Sequence, residues 1–131
     1  MKIPKIGLII CNSGASNSGH LTGLVAFEII KKFGEERVGI CSLPALANGI
    51  PRQILLVKRI PHIVVIDGCR NECSRRILDR IEIGHERYIN LENDFGYKKS
   101  GLFITFEYSE NDVKKISSNV IKIIKPYLDI R

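Results

Sequence analysis

The run Ile63-Val64-Val65-Ile66 most constrains what this chain can fold into, because four consecutive apolar residues leave no polar face. A strand with one solvated face alternates apolar and polar residues, whereas a strand that is covered on both faces is apolar throughout. Uninterrupted strands of this kind are typical of the centre of a parallel sheet with helices on both sides. The run therefore predicts an α/β protein.

Apolar runs and amphipathic stretches alternate along the rest of the chain, as the connections of a parallel sheet require. Besides the strand at 61–68, the pattern predicts strands at 3–10, 37–41 and 86–91, helices at 20–33, 51–59, 71–83 and 110–128, a helical turn at 43–49, and an edge strand over Leu102–Phe106. We therefore expect a doubly wound, Rossmann-like and mostly parallel sheet of four to five strands with helices on both faces. The 131 residues suit a single domain, 1–131, that can bury a core of its own.

The charge balance is mildly basic, with 20 Lys and Arg against 14 Asp and Glu and a net charge of +6. The basic residues are scattered among acids and only 7% of the residues are aromatic, so we do not expect a nucleic-acid interface. The amino-terminal stretch lacks the features of a signal peptide, and no apolar run is long enough to span a bilayer. We expect a cytoplasmic protein without a membrane partner, and the oligomeric state stays open, a homodimer included.

The four cysteines follow the predicted strands in a regular way. Cys11, Cys41 and Cys69 each end one of the first three strands, and Cys73 lies one helical turn beyond Cys69. In a parallel sheet of order 2-1-3, the carboxyl ends of these strands share one edge, about 4.8 Å apart. Thiolates are preferred ligands of tetrahedral zinc, so the pattern favours a metal site made of Cys11, Cys41, Cys69 and Cys73 over scattered core cysteines. The sequence thus indicates zinc as the cofactor.

Residues 13–20 form a second candidate site. Gly14 and Gly19 have the spacing of a phosphate-binding loop between a strand and a helix, but the lysine that nucleotide hydrolysis requires is missing. The backbone amides here would suit a small anion as ligand. The alternative is a glycine-rich turn that Ser18 caps. The candidate anion-binding residues are Ser13, Gly14, Ser16, Ser18 and Gly19.

Two further residues are candidates for support of the metal site. Asp67 precedes the DGC turn, where a carboxylate either caps the following helix or accepts a hydrogen bond beside the metal. His20 opens the first long helix, where it is either an additional ligand or a half-exposed histidine.

Cys69 also supports a different interpretation. Cys69 and Arg75 have the C-x5-R spacing of cysteine phosphatases and arsenate reductases, although Glu72 places a negative charge inside that loop. A thiol enzyme would use Cys69 as nucleophile, Cys73 as resolving thiol and loop 13–20 for the anion. A metal-free redox pair of Cys69 and Cys73 is a third alternative, for which the i,i+4 spacing inside a helix is unfavourable. Whether the protein is an enzyme stays open.

Three motifs together resemble the DGC-domain family. They are Cys11 with the following loop SGASNSGH, Cys41 with LPALANGIPRQ, and IDGCRNEC around Cys69. The family takes its name from the Asp-Gly-Cys motif and is regarded as zinc-binding because of four candidate chelating cysteines. The resemblance implies that Cys11, Cys41, Cys69 and Cys73 are metal ligands, and it implies no particular reaction.

Overall fold

The computed structural model describes residues 2–129, which form a four-stranded parallel sheet and six helices. The α/β class and the parallel sheet predicted from the sequence are confirmed. In chain order the elements are β1 (Ile6–Ile10), α1 (Asn17–Phe33), β2 (Val38–Ile40), α2 (Leu43–Ala47), α3 (Pro51–Lys58), β3 (His62–Asp67), α4 (Cys73–Arg80), β4 (Arg87–Asn90), α5 (Leu91–Phe95) and α6 (Glu110–Asp129).

The strand order is β2-β1-β3-β4, with every neighbouring pair parallel. The order 2-1-3 expected for the first three strands is therefore confirmed. β1 and β3 lie in the middle, and Ile10 of β1 is level with Ile66 of β3. Both strands are buried along almost their whole length, which explains their lack of polar residues. Their carboxyl ends lie next to each other at one edge of the sheet.

Alternate residues of the central strands belong to two separate hydrophobic clusters. Leu8 and Ile66 belong to the larger cluster, which also contains the buried side chains of α1 and α6. Ile9 and Val65 belong to the second cluster, together with Leu46 of α2, Val57 of α3 and Leu78 of α4. Since successive side chains of a strand point to opposite faces, the two clusters lie on opposite sides of the sheet. The loop that leaves β1 and the turn that leaves β3 therefore emerge between the two layers.

The first long helix begins earlier than the sequence predicted, because a different serine caps it. α1 begins at Asn17 rather than at His20, and its N-cap is Ser16 instead of Ser18. The side chain of Ser16 accepts a hydrogen bond from the amide of Gly19 at 3.1 Å. Within residues 2–129, no helix has both the length and the apolar character needed to cross a membrane.

The prediction of an edge strand over Leu102–Phe106 is wrong. Gly101 has a φ of 147° and Phe103 a φ of 69°, and both values interrupt an extended strand. Among the described residues, a single bridge, between Ile104 and Ser16, connects the segment to another part of the chain as a strand would. The mostly apolar residues here instead form an irregular segment with exposed side chains, including Phe103 at 86% and Phe106 at 77% exposure.

Candidate metal centre at the carboxyl edge of the sheet

Cys11 and Asp67 lie side by side where the two central strands end. The amide of Cys11 donates a hydrogen bond to the carbonyl of Ile66 at 3.2 Å, so the pairing of β1 with β3 continues to this residue. By the alternation of side chains, Cys11 and Asp67 point to the same face as Ile9 and Val65. That face is the one α4 covers, and α4 begins with Cys73.

The environment of Cys11 couples it to the other residues of this edge. Burial raises the pKa of the Cys11 thiol, and the charges of Asp67, Cys73 and Cys69 raise it further, while a hydrogen bond from the backbone of Ser13 opposes them. Charges act on one another in this way only over short distances in a partly buried site. Asp67, Cys69 and Cys73 therefore contribute to the electrostatic environment of Cys11.

Asp67 determines where α4 begins. Its carboxylate accepts hydrogen bonds from the amides of Ser74 at 2.9 Å and Arg75 at 3.2 Å, and from the hydroxyl of Tyr88 at 3.1 Å. Glu72, which occupies the N-cap position, is left-handed and makes no capping hydrogen bond. Asp67 thus caps the helix from the end of β3. This contact fixes Cys73 beside the strand.

Gly68 lets the turn after β3 contact α1 directly. A Cβ atom on this residue would lie 2.6 Å from the carbonyl carbon and oxygen of Ser18 and 2.9 Å from the amide nitrogen of Gly19. These are backbone atoms that cannot move aside, so only glycine fits. The glycine of the DGC turn therefore joins the two loops that carry Cys11 and Cys69.

Residues from β4 and the segment after α5 hold Cys69. The side-chain amide of Asn90 donates to the Cys69 carbonyl at 2.9 Å, and the ammonium of Lys99 lies 4.0 Å from its sulfur. The next residue, Arg70, is bound through its amide to Glu92 at 3.1 Å. Sequence reasoning missed these contacts. The sequence did contain a signal for Asn90, because this polar residue ends the fourth strand as the cysteines end the first three. It contained no comparable signal for Lys99.

Cys41 lies apart from the other three cysteines. Its amide donates to the carbonyl of Leu8 at 3.0 Å, so Cys41 is level with the interior of β1 rather than with its end. Its sulfur lies 3.1 Å from the position that a Cβ on Gly7 would occupy, under the second hydrophobic cluster. From Gly7 to Cys11 is four residues, or roughly 13 Å along the strand. Burial raises the pKa of Cys41 from 9.0 to about 12, which is typical of a neutral core thiol.

The cysteines are all free thiols, and Cys73 is the exposed one. In the described range 2–129, no three His, Cys, Asp or Glu side chains are gathered as a metal ion would require. Thiols are donors that suit a soft or borderline metal, so the chemistry of Cys11, Cys69 and Cys73 fits zinc although their side chains are not gathered into a site. Cys41 lies further back along the sheet, where its amide bonds to Leu8.

The candidate anion loop makes hydrogen bonds within itself and to the segment 97–107. The amide of Ala15 donates to the hydroxyl of Ser13 at 3.4 Å, and the hydroxyls of Ser16 and Ser18 lie 3.4 Å apart. Outside the loop, the carbonyl of Gly14 accepts from the hydroxyl of Thr105 at 2.6 Å. Of the predicted residues, Ser16, Ser18 and Gly19 are buried, so they face the fold more than a ligand.

Asn17 connects this loop to the segment 97–107. Its side-chain nitrogen lies within 3.5 Å of four acceptors, among them the Glu107 carbonyl at 2.9 Å, and its oxygen accepts from the amide of Ser100 at 2.9 Å. His20 lies nearby, with its ring 5.8 Å from that of Phe106 and 5.5 Å from that of Tyr108. His20 thus contacts this segment through its ring, and Asn17 fastens the segment that carries Lys99.

Arg75, the arginine of the C-x5-R pattern, has other partners. Its guanidinium lies 3.2 Å from the carboxylate of Glu72 and 4.8 Å from the ring centre of Tyr88. Both contacts hold it on the surface of α4 rather than over Cys69. The position of Arg75 therefore gives no support to the interpretation of this chain as a cysteine phosphatase or arsenate reductase.

Comparison with known protein families gives one match. The DGC domain matches residues 8–120, which is most of the chain and includes all four cysteines. The chain belongs to the DGC-domain family. No curated protein and no solved structure matches it significantly. The Asp-Gly-Cys motif of this DGC protein is the turn at 67–69, in which Asp67 caps α4, Gly68 contacts α1 and Cys69 lies beside Lys99.

Proposed function

We propose that this DGC-domain protein binds one zinc ion through the thiolates of Cys11, Cys69 and Cys73. The observation that supports the proposal is the placement of Cys11 and Cys69 after the neighbouring central strands β1 and β3, with Cys73 as the first residue of α4. Thiolates are the ligands that zinc prefers in cysteine sites, and they lose their protons on binding. Zinc would neutralise the mutual repulsion that charged thiols at this edge would otherwise experience.

The chain holds these ligands from two sides. Asp67 fixes the first residue of α4, and Asn90 fixes the backbone of Cys69. Lys99 adds a positive charge 4.0 Å from the sulfur of Cys69. Zinc binding would require the side chains of the exposed Cys73 and the half-buried Cys69 to turn toward Cys11.

The full set of four cysteines remains the alternative ligand set. Cys41 would have to leave its position beside Gly7 and move toward the sheet edge, against the burial of its side chain. A three-thiolate site leaves one coordination position for water or a substrate, whereas four thiolates close the shell. The ligand count therefore separates a site with room for chemistry or metal transfer from a purely structural one.

The test is the zinc content of the folded protein and of single Cys→Ser variants. We expect about one zinc per chain in wild type. Substitution of Cys11, Cys69 or Cys73 should reduce zinc content sharply, while Cys41→Ser should retain it. Circular dichroism of each variant shows whether it is folded, so that a loss of metal is not confused with unfolding. Folded wild-type protein that takes up no zinc when it is supplied would refute the proposal, and loss of zinc from Cys41→Ser would restore the four-cysteine set.

A cysteine-dependent enzyme is the second candidate, because an ammonium lies beside Cys69. Lys99 would stabilise a thiolate there that attacks a substrate, with Cys73 as the second thiol. This candidate predicts that metal-free protein reacts with iodoacetamide selectively at Cys69, and that Lys99→Gln slows the reaction. Equal alkylation of Cys69 in wild type and Lys99→Gln would count against it.

A further inference from the structure

A groove of about 560 Å³ between α1 and α6 lies away from the cysteines, and it is strongly basic. Glu28 is the acidic residue that lines it, and its carboxylate lies 3.5 Å from the ammonium of Lys31. The lysines that line the groove are Lys31, Lys32, Lys114, Lys122 and Lys125. Five ammonium groups facing one carboxylate create a positive potential that attracts anions.

Helix dipoles account for some of these lysines but not for the others. Lys31 and Lys32 lie in the last turn of α1, where positive side chains offset the partial negative charge of the helix end. α6 has no basic residue in its last turn, so Lys114 and Lys122 have no such role. From Lys114 to Lys125 the charges extend over roughly 16 Å of the helix. This part of the groove has a positive charge that the fold itself does not need.

A buried hydroxyl gives the second, independent indication of a ligand. Ser117 lines the groove and is only 4% exposed. Within the part of the chain that the structure describes, its Oγ atom has no hydrogen-bond partner. Buried polar groups are normally hydrogen-bonded, and an unpaired one costs stability. An anion in the groove that displaces the side chains covering Ser117 would supply an acceptor for this hydroxyl.

We propose that this groove binds a small molecule that carries two or more phosphate groups, with Lys122, Lys125 and Ser117 as its main contacts. The volume lies in the usual range of small-molecule sites. Several lysines spread along one helix match charges that are spread over several phosphates. Among the described residues that line the groove there is no aromatic side chain on which nucleic-acid bases would stack. A small polyanion therefore fits better than a nucleic acid.

The test uses inorganic tripolyphosphate as the probe, with calorimetry at about 0.15 M salt. We expect binding that inorganic phosphate competes with only weakly. Lys122→Glu should weaken tripolyphosphate binding about tenfold or more, since it replaces an attraction by a repulsion. Lys115→Glu is the matched control: it makes the same change in charge on an exposed residue of α6 that does not line the groove. We expect it to change affinity by about twofold at most.

Ser117→Ala distinguishes a built site from a charged surface. The substitution should weaken binding about fivefold or more without lowering the melting temperature of the free protein, because the hydroxyl has no partner to lose. The proposal is overturned if Ser117→Ala binds tripolyphosphate as well as wild type, or if Lys115→Glu loses as much affinity as Lys122→Glu. Tighter binding of a single-stranded oligonucleotide at the same salt would overturn it in favour of nucleic acid. Cys69→Ser should bind the probe normally, and a large loss there would relocate the anion to the cysteine edge.

Discussion

We expect the protein to lose stability at alkaline pH because of Cys41, and substitution of Cys41 should remove this part of the pH dependence. Burial raises its pKa from 9.0 to about 12, so the folded protein keeps this proton at a pH where the unfolded chain loses it. Because the unfolded state gives up the proton first, rising pH favours unfolding. The stability that depends on this thiol is complete below about pH 9 and is lost progressively between about pH 9 and 12.

The magnitude follows from the two pKa values. At pH 10 the unfolded thiol is about ten parts ionised to one part neutral, whereas the folded thiol is almost entirely neutral. The difference destabilises the fold by about 1 kcal/mol relative to pH 8. Lysines and tyrosines also titrate in this range, so the informative quantity is the difference between wild type and Cys41→Ala, in which their contributions cancel.

Urea unfolding of wild type and Cys41→Ala at pH 8 and pH 10, with a chelator present, measures this quantity. Wild type should lose about 1 kcal/mol more than the variant between the two pH values. Val57→Ala is the matched control, because it removes packing from the same cluster without removing a titratable group. It should be less stable at both pH values and retain the pH dependence of wild type. Equal pH dependence in wild type and Cys41→Ala would show that Cys41 is not held as a buried neutral thiol.

Two further predictions concern the contacts that build the cysteine edge. Gly68→Ala should destabilise the protein by about 1–3 kcal/mol in urea unfolding, because its Cβ would overlap the backbone of Ser18, whereas Gly84→Ala, which meets nothing within 4 Å, should have little effect. Asn17→Ala should release the segment 97–107, so that the Ser100 amide exchanges hydrogen faster while the amides of β3 are unchanged. Equal destabilisation by both glycine substitutions, or an unchanged Ser100 exchange rate, would contradict these contacts.

The sequence by itself determined the class of the fold. Apolar runs such as Ile63–Ile66 specify strands buried on both faces, and the helical stretches between them specify parallel connections, because these patterns depend only on local periodicity. The same reasoning predicted that Cys11, Cys41, Cys69 and Cys73 share one edge of the sheet, since the first three follow neighbouring strands and Cys73 lies one helical turn beyond Cys69. It failed at Leu102–Phe106, where most residues are apolar but the positive φ of Phe103 interrupts an extended strand.

Only the tertiary structure decided how far each cysteine reaches along the sheet. The sequence-based prediction assumed that all strands end at the same level of the sheet. In the structure β2 ends beside the middle of β1, so Cys41 lies level with the interior of β1. Register between strands depends on packing and turn geometry that no single stretch of sequence encodes. Long-range contacts such as Lys99 with Cys69 are likewise set by the fold, because the two residues are 30 positions apart. The sequence therefore supplied the thiols and the order of the strands that carry them, and the register of the sheet decided how far along it Cys41 lies.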